Sequence, residues 1–185
     1  MTLEEWGDLP EDEEGELVDG VLVEEEEVGY LHDSVGAWLV VLLGGWLYPR
    51  NGRLAMSDPR FAVAPRRGRK PDISAYFAGS TPPPAEGLIR VPPDIVVEIV
   101  SRRPRDARRD RIEKWDEYAH FGIRYYWIVD PALRSLEIHE LQSDGRYARA
   151  LGASETIVTT VPGCEGLTID LPALWAEIDR QFPPA

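Results

Sequence analysis

Two acidic residues lie where the sequence predicts strands, and together they suggest a site for a divalent metal ion. Glu98 interrupts the apolar run DIVVEIV at residues 94–100, which predicts a strand covered on both faces. Because burying an unpaired carboxylate is strongly unfavourable, a cation, a proton or a set of donors must lie nearby. Asp72 follows Pro71 at the start of a second predicted strand, ISAYF. Two carboxylates at the ends of neighbouring strands form an oxygen site that suits Mg²⁺, which binds one or two protein carboxylates and keeps several waters.

Lys114 follows the Glu98 strand in a predicted helix and is a third candidate for chemistry. The 20 basic residues of the chain include only two lysines, Lys70 and Lys114. A compact ammonium on a flexible stem suits the charge that develops on a transferring phosphoryl group. Structural alternatives stay open for both residues. Glu98 could instead pair with an arginine of the following segment, and Lys114, about 120° from the centre of its helix's apolar stripe, could be a solvated surface lysine.

The charge of the chain is strongly acidic but unevenly distributed. Its 185 residues include 33 Asp and Glu against 20 Lys and Arg, a net charge of −13. This balance weakens a nucleic-acid interpretation, because phosphate binding depends on Lys and Arg. Residues 50–114, however, carry 15 basic and 8 acidic residues. Six arginines follow the Glu98 strand, at positions 102, 103, 105, 108, 109 and 111, and they either grip an anionic partner or form a solvated face.

Hydrophobic periodicity and turn residues predict the elements of the first half of the chain. Thr2 and Glu5 form a capping-box pattern that predicts a short helix, and Asp19-Gly20 predicts a hairpin. Apolar residues at helical spacing predict a long helix over residues 30–48. The segments RLAMS, FAVAP and ISAYF predict consecutive strands, with residues 65–70 as a turn between the last two.

The second half predicts a β–helix–β unit followed by further strands. Strand 94–100, a helix that ends at Gly122 and strand 125–130 predict a parallel pair joined by a crossover. The remainder alternates polar and apolar residues, which predicts an antiparallel meander before a final helix capped by Asp170. The central order of elements predicts an α/β unit with a mixed sheet.

Composition and the N-terminal residues indicate the compartment. Cys164 is the only cysteine, so the chain cannot form an internal disulfide. The first residues lack the basic and apolar regions of a secretory signal. The longest apolar run, residues 35–48, has 14 residues, whereas a membrane span needs about 20. We therefore expect a cytoplasmic protein without a membrane segment, in which this run forms a core helix.

The order of these motifs resembles a known superfamily. Pro71-Asp72, then Glu98-Ile99-Val100 at the end of an apolar strand, then a helix, is similar to the PD-(D/E)XK nucleases. The segments GELVDGVLV, PDISAYF, DIVVEIVS and EKWDEYAHFGIRYYWIVDP resemble a widespread bacterial family of restriction endonuclease-like proteins of unknown function. The resemblance covers residues from about 10 to 175, and the stretch 94–130 is its most specific part.

The resemblance implies the fold and its division. It implies an α/β (α+β) restriction endonuclease-like core with a mixed central sheet flanked by helices, together with an N-terminal hairpin and a C-terminal antiparallel meander. We expect one domain over residues 1–185. Within it, residues 1–29 form the N-terminal helix and hairpin, residues 30–130 the nuclease-like core, and residues 131–185 the C-terminal strands and helix.

The resemblance also implies site residues. Asp72, Glu98 and the backbone carbonyl of Ile99 would bind Mg²⁺ or Mn²⁺. The position two after Glu98, where the superfamily has its catalytic lysine, is Val100, whereas the similar bacterial family has a lysine in the following helix, where this chain has Lys114. Further matches are Glu16 and His32 as accessory residues, and Ser101, Tyr118 and Trp127, of which we interpret the aromatics as packing.

Two functions from different classes follow. The first is a divalent-metal-dependent endonuclease that hydrolyses DNA, with Lys114 stabilising the transition state and Arg102, Arg103, Arg105 and Arg108 holding the DNA backbone. The second is a catalytically silent nuclease-fold protein that regulates or binds a partner. The second hypothesis draws on the net charge and on the absence of a separate DNA-recognition domain. In either case we expect a homo-oligomer, such as a dimer.

Overall fold

The computed structural model describes residues 1–10, 13, 15–23, 29–101 and 113–183. The helices in this part of the chain are α1 (Leu3–Gly7), α2 (Tyr30–Leu47), which a 3-10 turn (Tyr48–Arg50) continues, α3 (Lys114–Phe121) and α4 (Leu171–Gln181). The strands are β1 (Glu16–Val18), β2 (Val21–Val23), β3 (Arg53–Met56), β4 (Phe61–Ala64), β5 (Arg67–Arg69), β6 (Ile73–Tyr76), β7 (Ile95–Ile99), β8 (Tyr125–Asp130), β9 (Ser135–Leu141), β10 (Tyr147–Ala153), β11 (Ile157–Val158) and β12 (Ile169–Asp170).

A six-stranded mixed sheet forms the centre of the molecule. Its strand order is β10-β9-β8-β7-β6-β3. Strands β7 and β8 pair in parallel, as the β–helix–β order predicts, and the other neighbours are antiparallel. The C-terminal meander is therefore continuous with the central sheet through β9 and β10, while β11 and β12 form a separate two-stranded sheet.

A second, four-stranded antiparallel sheet has the order β2-β1-β5-β4. Its β1–β2 hairpin turns at Asp19 and Gly20, both with positive φ, which is the conformation that the Asp-Gly pair favours. The two helices whose caps the sequence predicts are also confirmed. The Thr2 capping box begins α1, and the Asp170 carboxylate accepts the backbone N–H of Ala173 at the start of α4.

The prediction of a turn over residues 65–70 was wrong. The turn spans only Ala64 to Arg67, with Arg66 at a φ of 63°. Residues 67–69 form β5, which pairs with β4. The hairpin leaves the central sheet, so β3 pairs directly with β6. The strand is stabilised by packing that the local sequence does not reveal. A Cβ on Gly68 would lie 2.2 Å from the Trp6 ring, so only glycine lets this buried indole lie against the strand.

The two faces of the central sheet carry different layers. On one face, called the α2 face, α2 and α4 cover side chains such as Ile95, Val97 and Ile99. On the opposite α3 face, α3 and the four-stranded sheet cover the alternate positions, including Val96 and Val100. Because side chains of a strand alternate between faces, Glu98 must point to the α3 face.

Helix α2 is a core helix, as the sequence predicts. Together with its 3-10 turn it is long and apolar enough to cross a membrane, with a mean hydropathy of 1.2. One side of the helix, however, is buried against the central sheet through Val35, Leu39, Leu43 and Leu47. Its apolar character thus serves the α2 face of the protein core.

Candidate active site

The site begins with the pairing of β6 and β7. The strands are antiparallel with Ile73 opposite Val97, so the residue before β6, Asp72, lies at the end of β7 that carries Glu98. The structure thus brings the two predicted acids to the same end of neighbouring strands, as the sequence indicated.

Asp72 lies at the partly exposed side of this site. Its Oδ2 accepts the backbone N–H of Ile99 at 2.6 Å and lies 3.2 Å from Nε2 of His32. The Asp72 side chain is 20% exposed. Because the Ile99 N–H and His32 both contact Oδ2, the orientation of the carboxylate is fixed from two sides.

His32 extends from the first turn of α2 toward Asp72. Its burial alone lowers the pKa of the imidazole, but hydrogen bonding and charge attraction from Asp72, with a smaller contribution from Asp33, outweigh burial and raise the pKa above its usual value of 6.5. The histidine therefore acts as a cationic partner of Asp72 more readily than a free histidine would.

Glu98 is almost completely buried on the α3 face, where two side chains of the described residues donate hydrogen bonds to it. Lys114 Nζ lies 2.8 Å from Oε2, and the Tyr118 hydroxyl donates to Oε1 at 2.6 Å. Burial raises the pKa of Tyr118, and the negative charge of Glu98 raises it further, so the hydroxyl stays protonated as a donor. Among the described residues, the ion-pair partner of Glu98 is this lysine and not an arginine.

The alternative of a solvated Lys114 is wrong, since the residue is only 6% exposed. Helix α3 begins at Lys114, and its inward face consists of Lys114, Glu117, Tyr118 and Ala119. Glu117 and Tyr118 are neighbours of Lys114 at helical spacing. Trp115 packs beside them against His139 and Tyr147. The angle of Lys114 from the apolar stripe suggested a solvent-exposed side chain. In the structure, buried carboxylates compensate the lysine charge, so the side chain can be buried. The apolar stripe of that prediction consisted of Ile112, Trp115 and Ala119, and Ile112 lies outside the described residues.

Glu16, which the resemblance offered as an accessory residue, lies behind Lys114. Its Oε1 is 3.5 Å from Lys114 Nζ and accepts the backbone N–H of Lys70 at 3.3 Å, and its Oε2 accepts Nη1 of Arg69 at 2.6 Å. Burial would raise the pKa of Glu16, but the charges of Lys114 and Arg69, together with hydrogen bonds from Arg69 and from the backbone N–H of Lys70, lower it below the usual value. Glu16 is therefore an anion inside the protein.

The sequence analysis did not identify Arg69 and Glu117, and it interpreted Tyr118 as packing. Arg69 is fully buried and donates Nε and Nη2 to the two oxygens of Glu117 at 2.6 and 3.0 Å. Arg67 also contacts Glu117 and binds Asp19 on the β1–β2 turn. One signal was present in the sequence, because Glu117 and Tyr118 follow Lys114 at the i+3 and i+4 positions of its helix.

The predicted DNA-binding arginines lie outside the part of the chain that the structure describes. They are Arg102, Arg103, Arg105 and Arg108. Basic residues of the preceding segment are described and have structural partners: Arg60 binds backbone carbonyls of Trp6, Gly7 and Leu9, and Arg67 and Arg69 bind carboxylates. The expected role of these four arginines in binding the DNA phosphate backbone stays a prediction.

The described carboxylates fit a metal site that keeps several waters better than one formed by protein ligands alone. No cluster of three or more His, Cys, Asp or Glu able to hold a metal occurs within the described ranges, which argues against a cage built by protein ligands alone in this part of the chain. Mg²⁺ requires less, namely one or two carboxylates and room for water. Asp72, partly exposed beside the Glu98 strand, meets that requirement. The metal-binding role of the Ile99 carbonyl stays a prediction.

Comparison with known proteins identifies the class of protein. The fold matches a crystal structure described as a putative nuclease belonging to DUF820 from Anabaena variabilis ATCC 29413, with a TM-score of 0.75 and 19% sequence identity, over 96% of this chain and 99% of that one. The fold is therefore that of a nuclease-like protein. A family model, Uma2, described as "Putative restriction endonuclease", matches residues 2–172. The chain belongs to this family. No curated protein matches it.

Proposed function

We propose that this protein is a divalent-metal-dependent endonuclease that hydrolyses phosphodiester bonds in DNA. The observation that carries the proposal is the buried ammonium of Lys114 at 2.8 Å from Glu98. The superfamily that the sequence resembles has its lysine on the strand two residues after the acid, and here an ammonium approaches the same acid from the following helix. Membership of the restriction endonuclease-like family supports the same class of reaction.

Each residue of the site has a proposed role. Asp72, Glu98 and the carbonyl of Ile99 would hold Mg²⁺ or Mn²⁺. When bound, such an ion polarises a phosphoryl oxygen and lowers the pKa of a bound water. Lys114 stabilises the negative charge that develops on the phosphoryl group. Tyr118 and His32 are accessory residues, because one orients the Glu98 carboxylate and the other the Asp72 carboxylate.

DNA is the proposed substrate, held by its backbone. Arg102, Arg103, Arg105 and Arg108 follow the end of β7 directly in the sequence, so they are close along the chain to the carboxylates. If these arginines neutralise phosphates, the affinity for random duplex DNA falls steeply with salt. Replacing Arg102, Arg103 and Arg105 by Gln together should flatten that dependence, measured by fluorescence anisotropy at several salt concentrations. An unchanged slope would make the run a solvated surface.

The setting and assembly complete the proposal. We propose that the protein acts in the cytoplasm, where DNA is accessible, and as a homo-oligomer, since enzymes that cut both strands of a duplex are commonly two-fold symmetric. Strand β10 is an edge of the central sheet, and an edge strand offers backbone groups to a second copy. Sedimentation of the protein at several concentrations tests the oligomer independently of cleavage.

Cleavage and metal binding test the nuclease directly. Supercoiled and linear DNA are incubated with the protein and Mg²⁺, Mn²⁺ or EDTA, alongside Asp72→Asn and Glu98→Gln variants, which preserve side-chain shape. Mn²⁺ binding is titrated by calorimetry in the same set. We expect cleavage only with metal, and neither cleavage nor Mn²⁺ binding in the variants. Equal Mn²⁺ affinity in the parent and both variants would remove the metal-site proposal.

One observation favours the second function, a catalytically silent regulatory or partner-binding protein. Lys114 and Tyr118 contact both oxygens of Glu98, so the charge of this carboxylate is compensated without a metal. The diagnostic arrangement for this alternative is an arginine that bridges the two acids. In the described chain Arg69 instead bridges Glu16 and Glu117. Absence of Mn²⁺ binding together with a folded parent protein would favour the silent protein.

A further inference from the structure

Among the described residues, five buried charged side chains form one connected group on the α3 face, which we call the ion network. Its members are Glu98, Lys114, Glu16, Arg69 and Glu117. The network alternates in sign, from Glu98 through Lys114 to Glu16 and from there through Arg69 to Glu117. Such alternation is required for burial, because each charge taken from water needs an opposite charge in contact with it.

Arg69 holds the part of the network that is remote from Glu98. It donates a two-pronged contact to Glu117 and a third hydrogen bond to Glu16, each between 2.6 and 3.0 Å. Only the planar guanidinium provides several donors in this fixed arrangement, and a lysine at this position could not reproduce it. Since β1 and β5 pair with Leu17 opposite Gly68, Glu16 lies opposite Arg69, and the strands themselves set this contact.

Within the described part of the chain, two carboxylates contact the Lys114 ammonium at different distances. It lies 2.8 Å from Glu98 and 3.5 Å from Glu16. Glu16 already receives the charge of Arg69 through its other oxygen, so its attraction for a second cation is reduced. Without Arg69, Glu16 would lose a cation that compensates its charge, and in a medium of low dielectric its attraction for the Lys114 ammonium would increase.

Arg69 also acts on Lys114 through the helix. Glu117 lies three residues after Lys114 on the same inward face of α3, and Arg69 fixes that face against β5. Since Arg69 is fully buried, the contact is shielded from water and salt. The guanidinium thus controls both the competing carboxylate and the orientation of the helix turn that carries the ammonium.

We propose that Arg69 is a positioning residue that keeps the Lys114 ammonium closer to Glu98 than to Glu16. Its role in DNA cleavage rests on the proposed nuclease function, whereas its effect on Lys114 is a property of the folded protein alone. Arg69 touches no reacting atom in this proposal. It acts through Glu16 and Glu117.

The chain offers a direct spectroscopic test, because it contains only two lysines. Protein labelled with ¹⁵N at the lysine Nζ gives two ammonium signals, and Lys70→Arg identifies that of Lys114. In the parent, Glu98→Gln should shift the Lys114 signal more than Glu16→Gln does, since Glu98 is the nearer carboxylate. The shift caused by each substitution therefore reports which carboxylate the ammonium contacts.

Replacing Arg69 alone would leave two buried carboxylates without their main cation and is expected to impair folding. The test therefore uses Arg69→Met combined with Glu117→Gln, which removes the guanidinium together with the charge of Glu117 and leaves Glu16 without Arg69. In this background we expect the order to reverse, so that Glu16→Gln shifts the Lys114 signal more than Glu98→Gln. A dispersed amide spectrum confirms folding. The same order as in the parent would overturn the proposal.

A second comparison covers the case in which the double variant does not fold. Arg69→Lys with Glu117→Gln keeps a cation near Glu16 but removes the fork, and it should retain the parental order with a smaller difference. If this folded variant and the parent respond identically to Glu98→Gln and Glu16→Gln, the guanidinium does not position Lys114.

Cleavage assays separate this inference from the proposed function. If the parent cleaves DNA, the Arg69→Met/Glu117→Gln variant should lose about 10-fold or more in rate at saturating DNA and Mn²⁺, as expected when an electrostatic donor is displaced but not deleted. If the parent does not cleave DNA, the nuclease proposal fails and the lysine signals still decide the role of Arg69.

Discussion

The two faces of the central sheet are both well buried but use burial differently. The α2 face packs aliphatic and aromatic side chains of α2, α4 and the sheet, such as Leu39, Leu43 and Trp127. The α3 face includes apolar residues as well, but it also buries the ion network. Apolar burial stabilises a fold by about 25 cal/mol per Å², whereas a buried ion network is often no better than well-packed apolar residues. We infer from this difference that the α2 face mainly supports the fold, and that the α3 face holds most of the candidate site.

Substitutions on the α2 face should have the largest effect on stability. Leu39 is 1% exposed, and Leu39→Ala should lower the free energy of unfolding by about 2–5 kcal/mol, because it removes apolar contacts and leaves a cavity. Val41 on the same helix is 77% exposed, and Val41→Ala should change the free energy of unfolding by only about 0.5 kcal/mol. Urea unfolding of both variants measures this difference. Equal effects would mean that α2 does not pack as described.

The second prediction concerns chemistry on the α3 face. Lys114→Ala should lower the cleavage rate by about 10² to 10³ per folded molecule, as for loss of one preorganised donor. Lys114→Arg should not restore activity, because the wider guanidinium, with its more diffuse charge, does not reproduce the compact ammonium that contacts Glu98 and Glu16. Rates are compared at saturating Mn²⁺ on a DNA that the parent cuts, after folding has been verified. Parental rates in both variants would exclude Lys114 from the mechanism, and Lys70 would become the next candidate.

The third prediction concerns the loss of stability at low pH, when Glu16 becomes protonated. Attraction by Lys114 and Arg69 outweighs burial and lowers the pKa of Glu16 in the folded protein, so its stabilising contribution is complete above the unfolded-state value near 4.5 and is lost as the pH falls through the lower folded value. Glu16→Gln should therefore flatten the decline of unfolding free energy with acid. Urea unfolding between pH 3 and 7 measures it. A decline as steep as in the parent would show that Glu16 is not held as an anion.

The elements that sequence reasoning predicted are those with local signals. The Asp19-Gly20 turn, the Thr2 capping box and the Asp170 cap each depend on a few adjacent residues, and the parallel pairing of β7 and β8 follows from the helix between them. The β4–β5 hairpin was missed because residues 65–70, rich in Arg, Pro and Gly, have the composition of a surface turn.

The candidate site was also predicted only where its residues have a local signal. The two acids could be found because a carboxylate in an apolar strand is anomalous by itself. Arg69 could not, since the carboxylates that compensate its charge lie 48 and 53 residues away in the sequence, and periodicity treats an isolated arginine as exposed. Lys114 was recognised through the resemblance, although its burial depends on Glu98, 16 residues earlier, and on the folding of α3 against the sheet.

The smallest expected effect lies at the edge between the two faces, where His32 from α2 meets Asp72. Asp72 offsets the effect of burial and raises the pKa of His32 above 6.5, so the stabilising contribution of this pair is complete below about pH 6.5 and is lost as the pH rises through the higher folded value. His32→Asn should therefore remove part of the decline in unfolding free energy above pH 6.5, measured by urea unfolding of metal-free protein up to pH 9. Asp72→Asn should produce the same flattening, because the histidine then loses the carboxylate that raises its pKa. If both variants keep the parental slope, the His32–Asp72 contact does not couple to stability, and the α2 face would have no electrostatic link to the candidate site through this pair.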